Sequence, residues 1–488
     1  ATPSPTATAT PLPTATATPT STPTATPTAT PTPIPTIQVG DLSVPDPRVT
    51  NPELFDLRNP DAPIPQFVKA MGEAGIHLDP QTIAAELEKN YEPRQGADGK
   101  TYVLTTYTVE GENGVRYSMG LIAEQDEKRG WSWREVTWKD LAYRANIIVG
   151  VEVDLGHPND HEKGYREFVY NHVNYFVVSG AMSHQWIKYG RTFVPEMVNE
   201  YKRRNPNLPL TLGIGHMFYH HDTFPPELSD QSMPVAQRQE LTKQFMYGRV
   251  KEVLEIVAPL MEKYPDITLQ FNLGNEVVWH YQGNFGWEGE YSDFPLYDNL
   301  GKRWIVDAYN QFSKVREEFR LPPNRFIILW NETHIQLGVQ DPKTGYFLTQ
   351  FKSVLNQLPD QEPPIGIGIQ FGLGPGGEAD VPLTLRLLNT AEGRQILREN
   401  LLRLSQETGR EIYITEHVAN DWRVTEKLLQ TVFENGTPPV KMINFWNVLN
   451  RGYEGNFIVD KVDYTRLPPY YQLIYYLARI NDATAERQ

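Results

Sequence analysis

The chain contains no cysteine. Disulfide scaffolds, thiolate metal sites and cysteine nucleophiles are therefore excluded. It is also short of positive charge: 45 Lys and Arg face 60 Asp and Glu, for a net charge of -15. Nucleic acid and anionic membrane surfaces call for a basic partner, so neither is expected to bind. Apolar runs long enough to span a membrane are missing, and no membrane insertion is expected. No glycine-rich phosphate loop follows an early strand-like run, which disfavours an open, doubly wound nucleotide-binding sheet. Residues 1–40 contain no aromatic residue, and almost all of the first 36 are Thr, Pro or Ala. Such a segment cannot bury enough surface to fold. Its prolines favour polyproline II, a spacer on the order of 100 Å long. We read 1–40 as a Thr/Pro/Ala-rich linker or stalk.

What remains is rich in core-forming residues. The 488-residue chain is 40% hydrophobic, with 25 Tyr, 20 Phe and 10 Trp. That suits a large folded domain with additions. Residues 41–140 read as a small α+β appendage. Asp79-Pro80 has the form of a helix N-cap followed by proline at the first helical position. Tyr102–Val109 alternates like a strand, Gly111–Gly114 signals a turn, and Arg116–Ala123 can pair back. Trp131 opens a third strand.

From residue 141 to 488 the rhythm is strand, loop, helix. Strands are expected at Asn146–Val153, Val173–Ser179, Leu210–Gly215, Ile267–Leu273, Phe326–Trp330, Ile365–Gln370, Glu411–Glu416 and Lys441–Trp446. Amphipathic stretches such as Gln237–Lys263 and Leu383–Leu404 lie between them. Eight such units are the count for an α/β (β/α)8 TIM barrel. In that fold, function gathers where strands end. His157, His161, His184, His216, His220, His221, His280, His334 and His417 all sit at or just past an expected strand end. Two strand-like runs end on a glutamate, at Asn275-Glu276 and Thr415-Glu416. Two carboxyl groups at one end of a barrel are what sugar-bond hydrolysis needs, one protonated as acid and one ionised as nucleophile or base. Glu276 is followed by Trp279, His280, Tyr281 and Trp287, and aromatic rings stack on sugar faces.

In order along 141–482, the motifs resemble glycoside hydrolase family 10, whose usual members are endo-β-1,4-xylanases. Ile147–Val153 resembles the first strand. Gly215-His216, followed by His220-His221, is similar to the Gly-His-x-x-x-Trp-His motif of strand three. Asn275-Glu276 matches the acid/base motif of strand four. Trp330-Asn331-Glu332-Thr333 resembles the Asn-Asp-Tyr-Asn of strand five, and Ile365–Gln370 the Gly-Ile-Gly-x-Gln of strand six. Ile414-Thr415-Glu416 resembles the nucleophile strand. Phe445-Trp446 and Pro468–Tyr471 resemble the closing region.

The resemblance implies a retaining mechanism, with Glu276 as acid/base, Glu416 as nucleophile and the two carboxyl groups about 5–5.5 Å apart. It implies that Asn275 bonds the sugar 2-hydroxyl. His216, His221, Gln370, Trp446, Trp279 and Trp287 would line the substrate site. No cofactor and no metal is implied. The partner is a polysaccharide, xylan or a related β-1,4-glycan, and the location is extracellular or at the cell surface. Oligomeric state stays open.

The chain also departs from the family pattern. Where strand two normally supplies Glu-Asn and then Lys as sugar clamps, Ala181, Met182 and Gln185 stand. His220 replaces a Trp, Gly372 a His and Asn450 an Asp. The bond-cleaving residues are kept while the sugar-reading shell is altered, which predicts weak glycone-side binding of unbranched xylan. Two other readings remain open on the sequence. One is a non-catalytic glycan-binding or surface protein on a barrel scaffold. The other is a metal-dependent barrel hydrolase, suggested by His216, His220, His221 and Asp222 and by Asp154, His157 and His161.

Overall fold

The computed structural model describes residues 34–96, 99–126, 130–154, 163–179, 187–218, 224–275, 294–333, 335–338, 342–358, 361–373, 380–419, 421–434, 438–446, 458 and 466–485. A hairpin comes first, β1 (Thr36–Val39) with β2 (Leu42–Pro45). Its first strand thus falls inside the stretch read as linker, and Val39 and Val44 are buried against Leu121 and Trp133. A four-stranded antiparallel sheet follows: β3 (Glu92–Gln95), β4 (Thr101–Glu110), β5 (Arg116–Asp126) and β6 (Gly130–Glu135). The expected turn at Gly111–Gly114 does join β4 to β5, with Glu110 opposite Arg116. Helices α1 (Pro63–Glu73) and α2 (Pro80–Leu87) accompany the sheet, and the Asp79 side chain caps α2 by accepting from Gln81 N and Thr82 N.

The barrel has all eight expected strands: β7 (Ile148–Asp154), β8 (Tyr175–Ser179), β9 (Leu210–His216), β10 (Ile267–Asn275), β11 (Phe326–Thr333), β12 (Ile365–Leu373), β13 (Ile412–Ala419) and β14 (Met442–Phe445). They pair in parallel and in chain order, and β14 closes onto β7. The main helices around them are α3 (Trp138–Arg144), α4 (Lys163–His172), α5 (Ile187–Arg204), α6 (Val235–Lys263), α7 (Trp304–Glu318), α8 (Pro342–Gln357), α9 (Asp380–Leu388), α10 (Ala391–Thr408), α11 (Trp422–Phe433) and α12 (Pro468–Ala485). The single amphipathic stretch expected at Leu383–Leu404 is two helices. Thr390 breaks it because its side chain accepts from Gly393 N and caps α10. No described helix is long and apolar enough to cross a membrane.

Strand residues divide by alternation. On β7, Val149, Val151 and Val153 join the core between strands and helices. Tyr175, Val177, Leu329, Tyr413 and Met442 form a separate cluster inside the barrel. Tyr175 fits at the centre because β7 and β9 present glycines to it. A Cβ on Gly150 or Gly213 would lie 2.2 Å from the Tyr175 ring or hydroxyl.

The N-terminal sheet shares the barrel's core. Ile64, Phe67, Tyr117 and Met119 pack in one cluster with Leu141, Tyr471, Ile474 and Leu477. Arg466 also ties the two parts, through Glu135 and Gln66. A further tie is the Tyr117 hydroxyl, which donates to Glu426 Oε1 on α11 at 2.5 Å. Burial pushes the Glu426 carboxyl up to about 7, against smaller opposing contributions from Tyr117, Arg423 and Lys427. A carboxyl raised in the fold favours the protonated form. Its contribution to stability is fully present below the unfolded value, near 4.5, and is lost as pH rises through about 7. We expect the melting temperature to fall between pH 5 and 8, and Glu426→Gln to flatten that slope. A slope identical in the two proteins across this range would remove Glu426 as its source.

Candidate functional site

Strict alternation along three strands would point the rim residues the wrong way. A register shift corrects each one. On β9, Leu212 and Ile214 face the helices, so His216 would too. The pairing with β10 jumps from Phe271–Ile214 to Asn272–His216, and Gly215 is the extra residue. On β10, Asn272 pairs with Leu329 and Gly274 with Trp330, which makes Leu273 extra and turns Asn275 inward beside Asn331. On β13, Ile369–Ile414 is followed by Gln370–Glu416, with Thr415 extra. Bulges of this kind at a barrel rim re-aim side chains. Here they bring His216, Asn275 and Glu416 to one place.

Glu416 Oε1 accepts from Gln370 Nε2 at 2.9 Å and from Asn331 Nδ2 at 3.1 Å. The same two nitrogens lie 3.0 Å and 2.5 Å from Asn275 Oδ1. Thr415 Oγ1 donates to Asn331 Oδ1, which fixes that amide with its nitrogen toward Glu416. Asn331 fits because β12 carries Gly368 opposite; a Cβ there would lie 2.5 Å from Asn331 Oδ1. The nucleophile candidate is thus held by neutral donors on rigid strands, themselves held by others. Asn275 is fully buried, and its Nδ2 donates to no described residue.

His216 Nε2 stands 3.8 Å from Glu416 Oε1. Its ring stacks on Trp446, with centroids 5.9 Å apart and planes at 27°. Below them a polar column runs down the barrel. Tyr175 OH donates to Gln270 Oε1 at 2.8 Å, and Gln270 Nε2 donates to Asn272 Oδ1 at 2.5 Å. The Tyr175 phenol is pushed well above its ordinary value, first by burial and then by the nearby Glu416 and Glu152.

The structure therefore brings together five of the expected site residues: Glu416, His216, Asn275, Gln370 and Trp446. Glu276, His221, Trp279 and Trp287 lie outside the described residues, as do Ala181, Met182, Gln185, His220 and Asn450. The carboxyl separation expected for retention lies there too. His417, counted among the strand-end histidines, belongs to the helix layer. Its Nε2 is 3.0 Å from Thr425 Oγ1, and burial lowers its pKa to about 4. Sequence reasoning gave no role to Thr415, Tyr175 or Glu152, and treated Asn331 as part of a motif only. Interior glycines opposite Asn331 and Tyr175 were the available signal. Among the described residues no group of three or more His, Asp or Glu is placed to hold a metal ion.

No family model matches the sequence, and no curated protein matches it. Solved structures do. Native xylanase 10B from Thermotoga maritima aligns over 72% of this chain and 100% of its own, with 16% identity and a TM-score of 0.49. The Penicillium canescens endo-1,4-beta-xylanase XylE aligns over 70% and 97%, with 12% identity and a TM-score of 0.48. A glycosylated endo-beta-1,4-xylanase of glycoside hydrolase family 10 from Gloeophyllum trabeum aligns over 70% and 98%, with 16% identity and a TM-score of 0.46. The chain's structural neighbours thus include family 10 endo-xylanases, as distant likenesses of fold.

Proposed function

We propose that this chain is a retaining glycoside hydrolase, endo-β-1,4-xylanase-like, that cleaves a β-linked polysaccharide such as xylan or a related β-1,4-glycan. Glu416 is the nucleophile and Glu276 the acid/base. The observation that carries the reading is the cradle of Glu416. One oxygen is gripped by Gln370 and Asn331, and the same amides grip Asn275, the residue before Glu276. Two amide donors on one oxygen fix the orientation of the carboxylate.

In the first step a Glu416 oxygen bonds to the anomeric carbon as the glycosidic C–O bond breaks. Glu276 gives its proton to the departing oxygen. In the second step Glu276 takes a proton from water, the water oxygen attacks the anomeric carbon, and the ester to Glu416 breaks. The amide donors of Gln370 and Asn331 stabilise the carboxylate as it is released. Asn275 Nδ2 is the donor toward a sugar hydroxyl, since its oxygen is already engaged. Trp446 and His216 supply a wall for the ring. An acidic, hydroxyl-binding barrel preceded by a Thr/Pro stalk fits work outside the cell on a neutral polymer.

The test is a panel of β-linked polysaccharides with product analysis, run on the wild type beside Glu276→Gln. We expect soluble oligosaccharides from at least one β-1,4-glycan, with β-configured reducing ends seen first by NMR, and a large loss in the variant. Binding to the panel without products would replace this reading with the non-catalytic one.

A further inference from the structure

The proposed reaction draws on the strand ends of β9 through β14. The remaining two, β7 and β8, turn Glu152, two residues before the end of β7, and Ser179, the last residue of β8, into the barrel. Glu152 is 2% exposed and Ser179 7% exposed. Ser179 Oγ donates to Glu152 Oε1 at 2.5 Å, and the Tyr165 hydroxyl donates to the Glu152 backbone oxygen. Barrel interiors usually carry branched apolar residues at such positions. A carboxyl group there costs free energy unless hydrogen-bonded groups meet it.

Three observations place Glu152 within the site. It faces the interior, since Val151 and Val153 on either side face the helices. It acts on the same phenol, Tyr175, as Glu416 does. And β7 and β8 lie between β14 and β9 in the ring, so the Trp446–His216 stack spans the arc that carries Glu152 and Ser179. Trp446 and His216, the proposed wall for the sugar, thus come from the ends of the two strands that flank this arc.

We propose that Glu152, oriented by Ser179, is a specificity-determining residue of the site: its carboxyl group accepts hydrogen bonds from hydroxyls of the sugar ring next to the one being cleaved. The inference rests on the glycosidase reading and deepens it. The ligand chemistry is a hydroxyl-bearing pyranose, with vicinal hydroxyls as donors to a strand-borne acceptor. Mounting on a strand rather than a loop gives the contact a fixed position.

Paired substrates with one leaving group test it: an aryl β-xyloside, which places only one sugar in the site, and the aryl β-xylobioside, which adds the neighbouring ring. Glu152→Ala should lower kcat/KM on the bioside at least tenfold, mainly through KM, and change the xyloside less than twofold. Glu152→Gln keeps an acceptor oxygen and should recover the bioside to within about threefold of wild type. Ser179→Ala, which leaves the fold's polar column untouched, should cost the bioside roughly three- to fivefold and the xyloside nothing, and serves if Glu152→Ala does not fold. Equal losses on both substrates, or none on either, would overturn the proposal. Wild-type protein that turns over neither substrate nor any β-glycan would overturn the glycosidase reading, and this inference with it.

Discussion

Glu416→Ala is expected to lower kcat by about four orders of magnitude, ~5.5 kcal/mol of transition-state stabilisation, while leaving the fold intact. Sodium azide should then restore turnover and yield a glycosyl azide inverted at the anomeric carbon. The two parts follow from different features. The loss follows from removing the group proposed to form the covalent ester. The rescue follows from the space the missing carboxyl leaves on the far face of the sugar, where a small anion attacks directly and the product keeps that single inversion. The surrounding cradle should survive, because Asn331 is anchored by Thr415 and Gln370 still reaches Asn275. Glu416→Gln should be as inactive but resist azide, since its amide fills the space. Wild-type rates in Glu416→Ala would remove Glu416 from the chemistry. Rescue that gave a retained azide would assign the nucleophile to another residue.

The barrel was legible in the sequence because its signals are local and repeated. Apolar runs such as Ile365–Gln370, separated by amphipathic stretches, need only strand and helix periodicity to be recognised. The site was legible through residue types at strand ends, but not through geometry. Alternation alone turns Asn275, His216 and Glu416 toward the helices. The bulges at Leu273, Gly215 and Thr415 reverse that, and a one-residue insertion in pairing leaves no mark in a single sequence. Tyr175 and Glu152 were missed for the same kind of reason. Each lies in a run that reads as an ordinary strand, and their company inside the barrel depends on closure between β14 and β7, far apart in the chain. The N-terminal region was read as an appendage because strand and turn signals are local too. That it shares a core with α12 depends on contacts between residues more than 300 positions apart, such as Phe67 with Tyr471.

That sharing leads to the second large effect. Trp138→Ala should destabilise the whole protein by about 3–5 kcal/mol, much of the 5–15 kcal/mol typical of a native fold. Trp138 is fully buried. It stacks on Tyr470 with centroids 4.8 Å apart, lies 5.3 Å from Phe445 and meets Phe168 edge-on at 6.0 Å. Its indole N–H donates to the Tyr470 backbone oxygen at 2.9 Å. One side chain therefore joins the helix leading into β7, the last barrel strand and the closing helix α12. Trp138→Phe keeps a ring but loses that hydrogen bond and part of the buried volume, and should cost only about 1–2 kcal/mol. Urea unfolding followed by both far-ultraviolet circular dichroism and tryptophan fluorescence would measure these costs. Coincident midpoints, shifted together in Trp138→Ala, are the expected result, because the sheet and the barrel bury one continuous core. Two separated transitions, with only the first moved by the substitution, would show that the N-terminal sheet melts alone and that the barrel closes without it.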